Sequence, residues 1–154
     1  MFIKSLFDRG ASLFGLIFLF PVLIIISILI RIKMPGGPVI FKQKRVGQYG
    51  RLFTMYKFRS MYVNSPDVRN LDGSTFNGHD DPRVTPIGRF MRKTSIDEIP
   101  QFLNVLIGDM SFVGPRPTLA TKSFEEVEVE RRKRYDVKPG ITGYAQAYFR
   151  NSIS

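Results

Sequence analysis

The chain has 154 residues and a formal net charge of +10, from 23 Lys and Arg against 13 Asp and Glu, with one His and no Cys. The lack of cysteine excludes disulfides, thiolate zinc sites and a cysteine nucleophile, and the lone His79 argues against a histidine-based triad. Any nucleophilic or acid–base chemistry therefore falls to carboxylates.

Residues 10–30 carry no charged side chain. At ~1.5 Å per residue they are about long enough to cross a ~30 Å hydrocarbon core as a helix, which places the protein at a membrane. Pro21 stands near the middle of this run; it lacks a backbone donor and clashes with the preceding turn, so a break or bend is expected there. Lys4 and Arg9 precede the run, and Arg31, Lys33, Lys42, Lys44 and Arg45 come after it. Positive residues stay cytoplasmic. A segment that enters, bends at Pro21 and returns keeps both groups inside, whereas an ordinary proline-kinked span translocates the first. The residues leave both readings open, and general membrane proteins favour the span. A secretory signal fits less well, because the run is long and no small-residue cleavage site comes after it.

The remaining residues, about 120, suffice for one compact domain. The positive charge is concentrated early: residues 1–60 hold ten Lys and Arg against Asp8 alone. A basic stretch beside a membrane anchor attracts anionic headgroups or a phosphorylated substrate. Pro35-Gly36-Gly37-Pro38 marks a turn. Residues 39–41 and 51–58 read as strands of a hairpin joined through a loop with Gly47 and Gly50. The polar stretch 64–81 reads as a long loop or lid, and 88–93 as a short basic helix.

Ile99, Phe102, Leu103, Leu106 and Ile107 recur at helical spacing, predicting a helix that turns this apolar stripe to the core and ends at Gly108. Its start admits two readings: Ser95 and Glu98 as a capping box, or Pro100 at the first helical position. Either places Asp97 and Glu98 by the N-terminus, where the helix dipole favours ionised carboxylates. A nucleophilic carboxylate or a Mg²⁺ ligand needs that state, with Arg89, Arg92 and Arg116 nearby in sequence as phosphate-binding types. The plainer alternative, that both acids merely cap a helix, is the commoner use of such residues. Residues 124–134 predict a last helix, acidic first and basic last, with Glu128–Arg132 and Glu130–Arg134 pairs on a solvated face. Residues 42–59 mix six Lys and Arg with Tyr49, Phe53, Tyr56 and Phe58, so a membrane-anchored basic module binding nucleic acid or anionic lipid without catalysis is the rival reading.

Three runs decide between them: Lys57-Phe58-Arg59-Ser60-Met61, Thr94-Ser95-Ile96-Asp97-Glu98-Ile99-Pro100-Gln101, and Asn104 through Gly108-Asp109-Met110-Ser111-Phe112-Val113-Gly114-Pro115-Arg116-Pro117. With Val137-Lys138-Pro139-Gly140-Ile141-Thr142-Gly143, Arg150-Asn151 and the apolar helix with a central proline, they resemble the bacterial sugar transferase family, the monotopic polyprenol-phosphate phosphoglycosyl transferases. The resemblance covers nearly the whole chain in order.

It implies an α+β fold, mainly helical with a small hairpin, divided into a re-entrant membrane helix over 1–33 broken at Pro21 and a cytoplasmic catalytic domain over 34–154. It implies transfer of sugar 1-phosphate from a nucleotide diphosphate sugar, usually a UDP-sugar, to polyprenol (undecaprenyl) phosphate with release of UMP, at the cytoplasmic face of the bacterial inner membrane. Nucleic acid is not an expected partner on this reading. The family dyad falls on Asp97 as nucleophile and Glu98 assisting with Mg²⁺, and Lys57, Arg92, Arg116 and Arg150 fall on phosphate- or nucleotide-binding positions. Two departures stand out. Phe20 occupies the place before the membrane proline where the family often has Ser, and related chains usually continue several tens of residues past the Arg-Asn pair. The expectation is therefore a C-terminal truncation or a degenerate copy. Sugar identity, glycan pathway and oligomeric state are not written in these residues.

Overall fold

The structure is a computed structural model that describes residues 2–68, 71, 80–120 and 129–143. Helix α1 runs from Phe2 to Lys33, 32 residues or about 48 Å. It is the one helix among the described residues that is long and apolar enough to cross a membrane, with a mean hydropathy of 3.1 over its most apolar 18 residues. Helical structure continues through Pro21, and the re-entrant path expected there remains a proposal. A single proline removes one backbone hydrogen bond, and its neighbours in a long apolar helix keep theirs.

Both halves of α1 lie against the rest of the chain. In the first half, Lys4 Nζ donates to the Val113 carbonyl at 3.3 Å and Lys138 Nζ to Ser5 Oγ at 3.2 Å. Ser111 Oγ donates to the buried carboxylate of Asp8 at 2.6 Å, and Ser12 Oγ donates to the Phe102 carbonyl. In the second half Ile26 and Ile30 form a core with Met34, Phe58 and Met91.

Strands β1 (Ile40–Val46) and β2 (Leu52–Phe58) form the expected antiparallel hairpin, with Ile40 opposite Phe58 and Val46 opposite Leu52. β1 extends five residues beyond the predicted end, into Lys42, Lys44 and Arg45. The connection is a 3₁₀ turn, Gln48–Gly50, in which Tyr49 and Gly50 adopt left-handed φ of 58° and 75°. The Gly47 N–H donates to the Arg51 carbonyl at 2.7 Å, closing the loop.

Helix α2 spans Pro86–Thr94. The Thr85 hydroxyl caps it by accepting the Gly88 N–H at 3.0 Å, with Pro86 in the first turn where its missing donor costs nothing. Ser95 ends it in the left-handed region at φ 60°, and its side chain caps no N–H of the next turn. Ser95 is therefore a C-terminal residue of α2, and the capping-box reading is overturned.

A 3₁₀ turn, Ile96–Glu98, carries the acidic pair, and α3 occupies Gln101–Ile107 with Pro100 just before it and Gly108 at φ 98° after it. The predicted burial of the apolar stripe fails here. The buried face of α3 is Gln101, Asn104 and Val105, while Leu103 and Ile107 are exposed. The cause is Asn104, fully buried: its Oδ1 accepts the Tyr56 N–H at 3.1 Å and its Nδ2 donates to the Thr54 carbonyl at 2.7 Å. One side-chain amide thereby satisfies an edge of β2 that would otherwise be buried unpaired, and it turns α3 with it. Beside it, Phe53, Met55, Val105 and Met110 make the second core cluster.

Two pairings go beyond the predicted hairpin. Strand β3 (Ser111–Val113) runs parallel to a strand at Gly140–Thr142, and β4 (Thr118–Leu119) adds to the free edge of β1. Between them comes α4 (Val129–Arg132), then a 3₁₀ turn at Lys133–Tyr135 and the strand at 140–142, now β5. The predicted helix over 124–134 is seen only in these last turns; residues 124–128, with the Glu128–Arg132 pair, lie outside the described residues, as does most of the loop 64–81.

Candidate active site

The hairpin register places Arg45, Gln43 and Phe41 opposite Phe53, Met55 and Lys57. Side chains alternate between faces with period two, so Arg45, Met55 and Lys57 share one face of the sheet. The 3₁₀ turn brings Glu98 to that face: Lys57 Nζ lies 3.7 Å from Glu98 Oε1, both side chains being only about a quarter exposed (20% and 27%). The interlocked strands β3 and β5 supply the third wall. Gly140 N–H donates to the Pro115 carbonyl and Gly114 N–H to the Thr142 carbonyl, both at 2.9 Å. A Cβ on Gly114 or Gly140 would strike backbone of the opposite segment. That close approach requires glycine at both positions and fixes the Gly114-Pro115-Arg116-Pro117 turn beside the hairpin. The result is an open cleft lined by Arg45, Met55, Lys57, Glu98, Gln101, Arg116, Pro117, Gly140 and Ile141.

Asp97 is buried beside this cleft, 7% exposed. Burial pushes its carboxyl above the usual range, with Glu98 adding to the rise, while Lys57 and Arg92 oppose it. This corrects the dipole argument in direction. Asp97 precedes α3 by four residues and α3 has only seven, so desolvation outweighs any field from that short helix. Burial likewise pulls the Lys57 ammonium down, against the opposing pull of Glu98 and then Asp97. Arg92 is lowered by burial and restored in part by Asp97 and Asp81. Its Nε donates to Ser60 Oγ at 2.9 Å.

Among the predicted site residues, Lys57, Glu98 and Arg116 therefore line one cleft, and Asp97 and Arg92 stand in electrostatic contact behind it. Arg150 lies outside the described residues. Arg45 and Gln101 belong to the cleft and were not predicted. Arg45 Nη1 donates to the Pro117 carbonyl at 3.2 Å and Nη2 to Gln43 Oε1 at 2.6 Å. Each had a signal: Gln101 comes one helical turn after Glu98, and the hairpin register puts Arg45 on the face of Lys57. A second adjacent acidic pair, Asp80-Asp81, stands outside the cleft lining. Asp81, 1% exposed, is gripped by Arg83 through Nε at 2.9 and 3.1 Å and Nη2 at 2.6 Å, and that grip holds its carboxyl below the usual range.

Of the aromatic side chains in the basic stretch, Tyr49 is exposed and Tyr56 half-buried, and the other two point inward. Phe53 and Phe58 are core residues, and buried Arg59 donates through Nη2 to the Met34 carbonyl. The nucleic-acid reading loses its main support with them.

An apolar helix packs along a small mixed domain, whose cleft sets Arg45, Lys57 and Arg116 beside the adjacent carboxylates Asp97 and Glu98. The chain belongs to the bacterial sugar transferase family, the polyprenol-phosphate phosphoglycosyl transferases, whose pattern it matches over residues 1–154. It is 46% identical over 154 residues to the sugar transferase EpsL of Bacillus subtilis, covering 100% of this chain and 72% of that one. It is 40% identical over 163 residues to the undecaprenyl-phosphate galactose phosphotransferase of Salmonella typhimurium (99% and 34%). It is 42% identical over 145 residues to the UDP-glucose:undecaprenyl-phosphate glucose-1-phosphate transferase of Xanthomonas campestris (93% and 29%). The chain spans about a third of the length of these last two relatives.

Proposed function

We propose that this chain carries the catalytic site of a phosphoglycosyl transferase, moving sugar 1-phosphate from a UDP-sugar to polyprenol (undecaprenyl) phosphate, the initiating step of a bacterial glycan. The observation that carries this reading is Asp97, buried between the charges of Lys57 and Arg92 with Glu98 adjoining it on the cleft. The names of the Salmonella and Xanthomonas relatives supply the acceptor and the class of donor.

On this reading an Asp97 carboxylate oxygen attacks the sugar-bearing phosphorus of the donor. The bond from that phosphorus to the bridging oxygen breaks, and UMP departs with the oxygen and its electron pair. A terminal oxygen of polyprenol phosphate then attacks the same phosphorus. The bond to Asp97 breaks and the carboxylate returns, leaving polyprenol-diphosphate-sugar. Phosphoryl transfer of this kind needs positioning and neutralisation of charge more than covalent chemistry from the protein. Lys57, Arg92 and Arg116 supply the cations; Lys57 and Arg92 also keep a buried nucleophile ionised against its desolvation. Arg150 is proposed as a further donor contact by family position.

Mg²⁺ takes one or two carboxylates and fills its remaining positions with water and phosphate oxygens, which suits a diphosphate donor. Glu98 is the proposed ligand, and the ion would neutralise charge on the donor diphosphate.

The membrane topology proposed is re-entrant, with Met1 and the catalytic domain on the cytoplasmic side. Its support is the contact of both halves of α1 with one domain: Asp8 and Ser12 reach Ser111 and Phe102, as Ile26 and Ile30 reach Phe58 and Met91. A straight span would pull the first set apart. Such a placement holds Asp97 at the interface, open to a water-soluble donor and a lipid acceptor.

UMP release measured over a panel of UDP-sugars, with and without undecaprenyl phosphate, tests the reading. One donor should give acceptor-dependent turnover and, without acceptor, a phosphosugar adduct on Asp97. An adduct on any other residue, or salt-sensitive oligonucleotide binding with no UMP release, would sink it.

A further inference from the structure

Ser60 stands where the exit from β2 meets both ends of α2. Its carbonyl accepts the Thr85 N–H at 3.0 Å and the Thr85 hydroxyl at 3.2 Å. That same hydroxyl caps α2 through Gly88, and a Cβ on Gly88 would collide with the Ser60 carbonyl oxygen. The backbone of Ser60 is thus pinned to the first turn of α2, while its Oγ receives the Nε–H of Arg92 from the last turn. Ser60 is itself 8% exposed.

A guanidinium can grip a tetrahedral oxyanion side-on, through Nε and one terminal nitrogen, or end-on, through both terminal nitrogens. With Nε–H committed to Ser60, only the end-on grip remains. Among the described residues the terminal nitrogens of Arg92 carry no hydrogen bond. Two carboxylates act on this arginine, Asp97 and Asp81. Asp81 is already engaged by four hydrogen bonds from Arg83, three from its guanidinium and one from its backbone N–H. What is left for the fork of Arg92 is Asp97 and whatever anion arrives beside it.

We propose that the Ser60 hydroxyl is a positioning residue, which holds the guanidinium of Arg92 by Nε so that its two terminal nitrogens present an end-on fork to the donor phosphate at Asp97. The inference rests on the phosphoglycosyl transferase reading and deepens it. Ser60 touches no substrate; it acts through Arg92 alone. A role confined to folding would give losses independent of Arg92, and a positioning role gives losses that vanish once Arg92 is gone.

The test is a double-mutant cycle on the full chain in detergent or nanodiscs, reading UMP release and, for variants too slow to assay, equilibrium UDP binding. Ser60→Ala should raise KM for the UDP-sugar about tenfold, the usual loss for one hydrogen bond to a charged group, with kcat much less affected. Ser60→Thr, which keeps the hydroxyl, should recover to within about twofold. In an Arg92→Ala background the Ser60→Ala change should have no further effect. Should Ser60→Ala fail to fold, Ser60→Cys carries the same cycle, being nearly isosteric and a far weaker acceptor. Multiplicative losses, an unchanged KM in Ser60→Ala, or an Arg92→Ala variant as active as wild type would each overturn the inference while leaving the transferase reading intact. Wild-type protein that releases no UMP from any donor would overturn that reading itself, and the inference with it.

Discussion

Along α1 the residues turned toward the rest of the chain include Asp8 and Ser12, while Phe7, Phe14, Ile17 and Phe18 are exposed. In β2 the order is reversed: Phe53, Met55 and Phe58 are buried, and Thr54, Tyr56 and Lys57 between them are only partly so. The hairpin is arranged for water, with apolar atoms inside. The first half of α1 is arranged for hydrocarbon, where outward apolar groups cost nothing and polar ones must find partners within the protein. Asp8 and Ser12 find theirs in Ser111 and the Phe102 carbonyl. The cleft is a third case, lined by charged side chains that are only partly buried.

The largest effect expected is at the cleft. Asp97→Asn should lower turnover by at least about a thousandfold, as loss of a covalent nucleophile does, and leave the fold intact, since it removes a buried charge. The pH dependence has a definite sign. The folded chain holds the Asp97 proton to higher pH than an unfolded chain does. The stability from this group is therefore greatest below the ordinary carboxylate range and is lost as pH rises through the elevated value. Activity runs the other way, rising over that window as the nucleophile ionises. In Asp97→Asn the stability slope should flatten, which thermal unfolding across pH 3–7 (roughly the range spanned by carboxylate titrations) would show. An unchanged slope would mean that Asp97 is not desolvated.

Metal removal should come next in size. EDTA treatment is expected to bring UMP release to background and Mg²⁺ to restore it, with no change in the unfolding transition, because no metal site of three protein ligands holds the described fold together. Activity that survives thorough chelation would remove Mg²⁺ from the proposal and leave the three cations to neutralise the donor alone.

How far the sequence carried depends on the same two regimes. The helix α1, the hairpin and α2 were legible because each has a local signal: an uncharged run, paired glycines, a short basic stretch at 88–93. The burial of α3 was not. Periodicity locates an apolar stripe on a helix but does not say which solvent it faces, and here Leu103 and Ile107 point outward while Asn104 goes in. The parallel pairing of β3 with β5 has three-residue strands 29 positions apart, from Ser111 to Gly140, and nothing local announces it. In the site, motif resemblance located Lys57, Asp97, Glu98 and Arg116, but the desolvation of Asp97 is a property of the packed chain. Arg45 needed the hairpin register, which becomes readable only once both strand ends are known.

A smaller effect separates the two faces of α1. Asp8→Ala leaves Ser111, 2% exposed, without its acceptor, and should cost about 1–3 kcal/mol in unfolding measured in nanodiscs. Phe14→Ala on the outward face should change that transition by no more than about 0.5 kcal/mol, while weakening retention of the protein in the bilayer by the burial lost from one aromatic side chain. Equal costs on both faces would mean that α1 meets the domain and the membrane alike, and the contrast with β2 would fall.

The smallest expected change is also the one that discriminates most sharply between topologies. The chain has no cysteine, so single cysteines at Ile3 and Phe41, both exposed, report sidedness without background. Each should label from the cytoplasmic side only. Pro21→Ala restores a backbone donor within a helix that is already continuous through that position, and by itself it should leave the labelling pattern unchanged. The reason is that the fold does not rely on the proline alone to hold the N-terminus. Lys4 to Val113, Asp8 to Ser111 and Ser12 to Phe102 tie the first half of α1 to the domain, and spanning would require all three to break and the Asp8 carboxylate to cross hydrocarbon. Asp8→Leu combined with Ser12→Leu removes two of the ties and the translocation penalty together, so that variant, and not Pro21→Ala, should begin to label at residue 3 from the periplasmic side. Periplasmic labelling of residue 3 in the otherwise unaltered chain would show a true span and overturn the re-entrant topology outright.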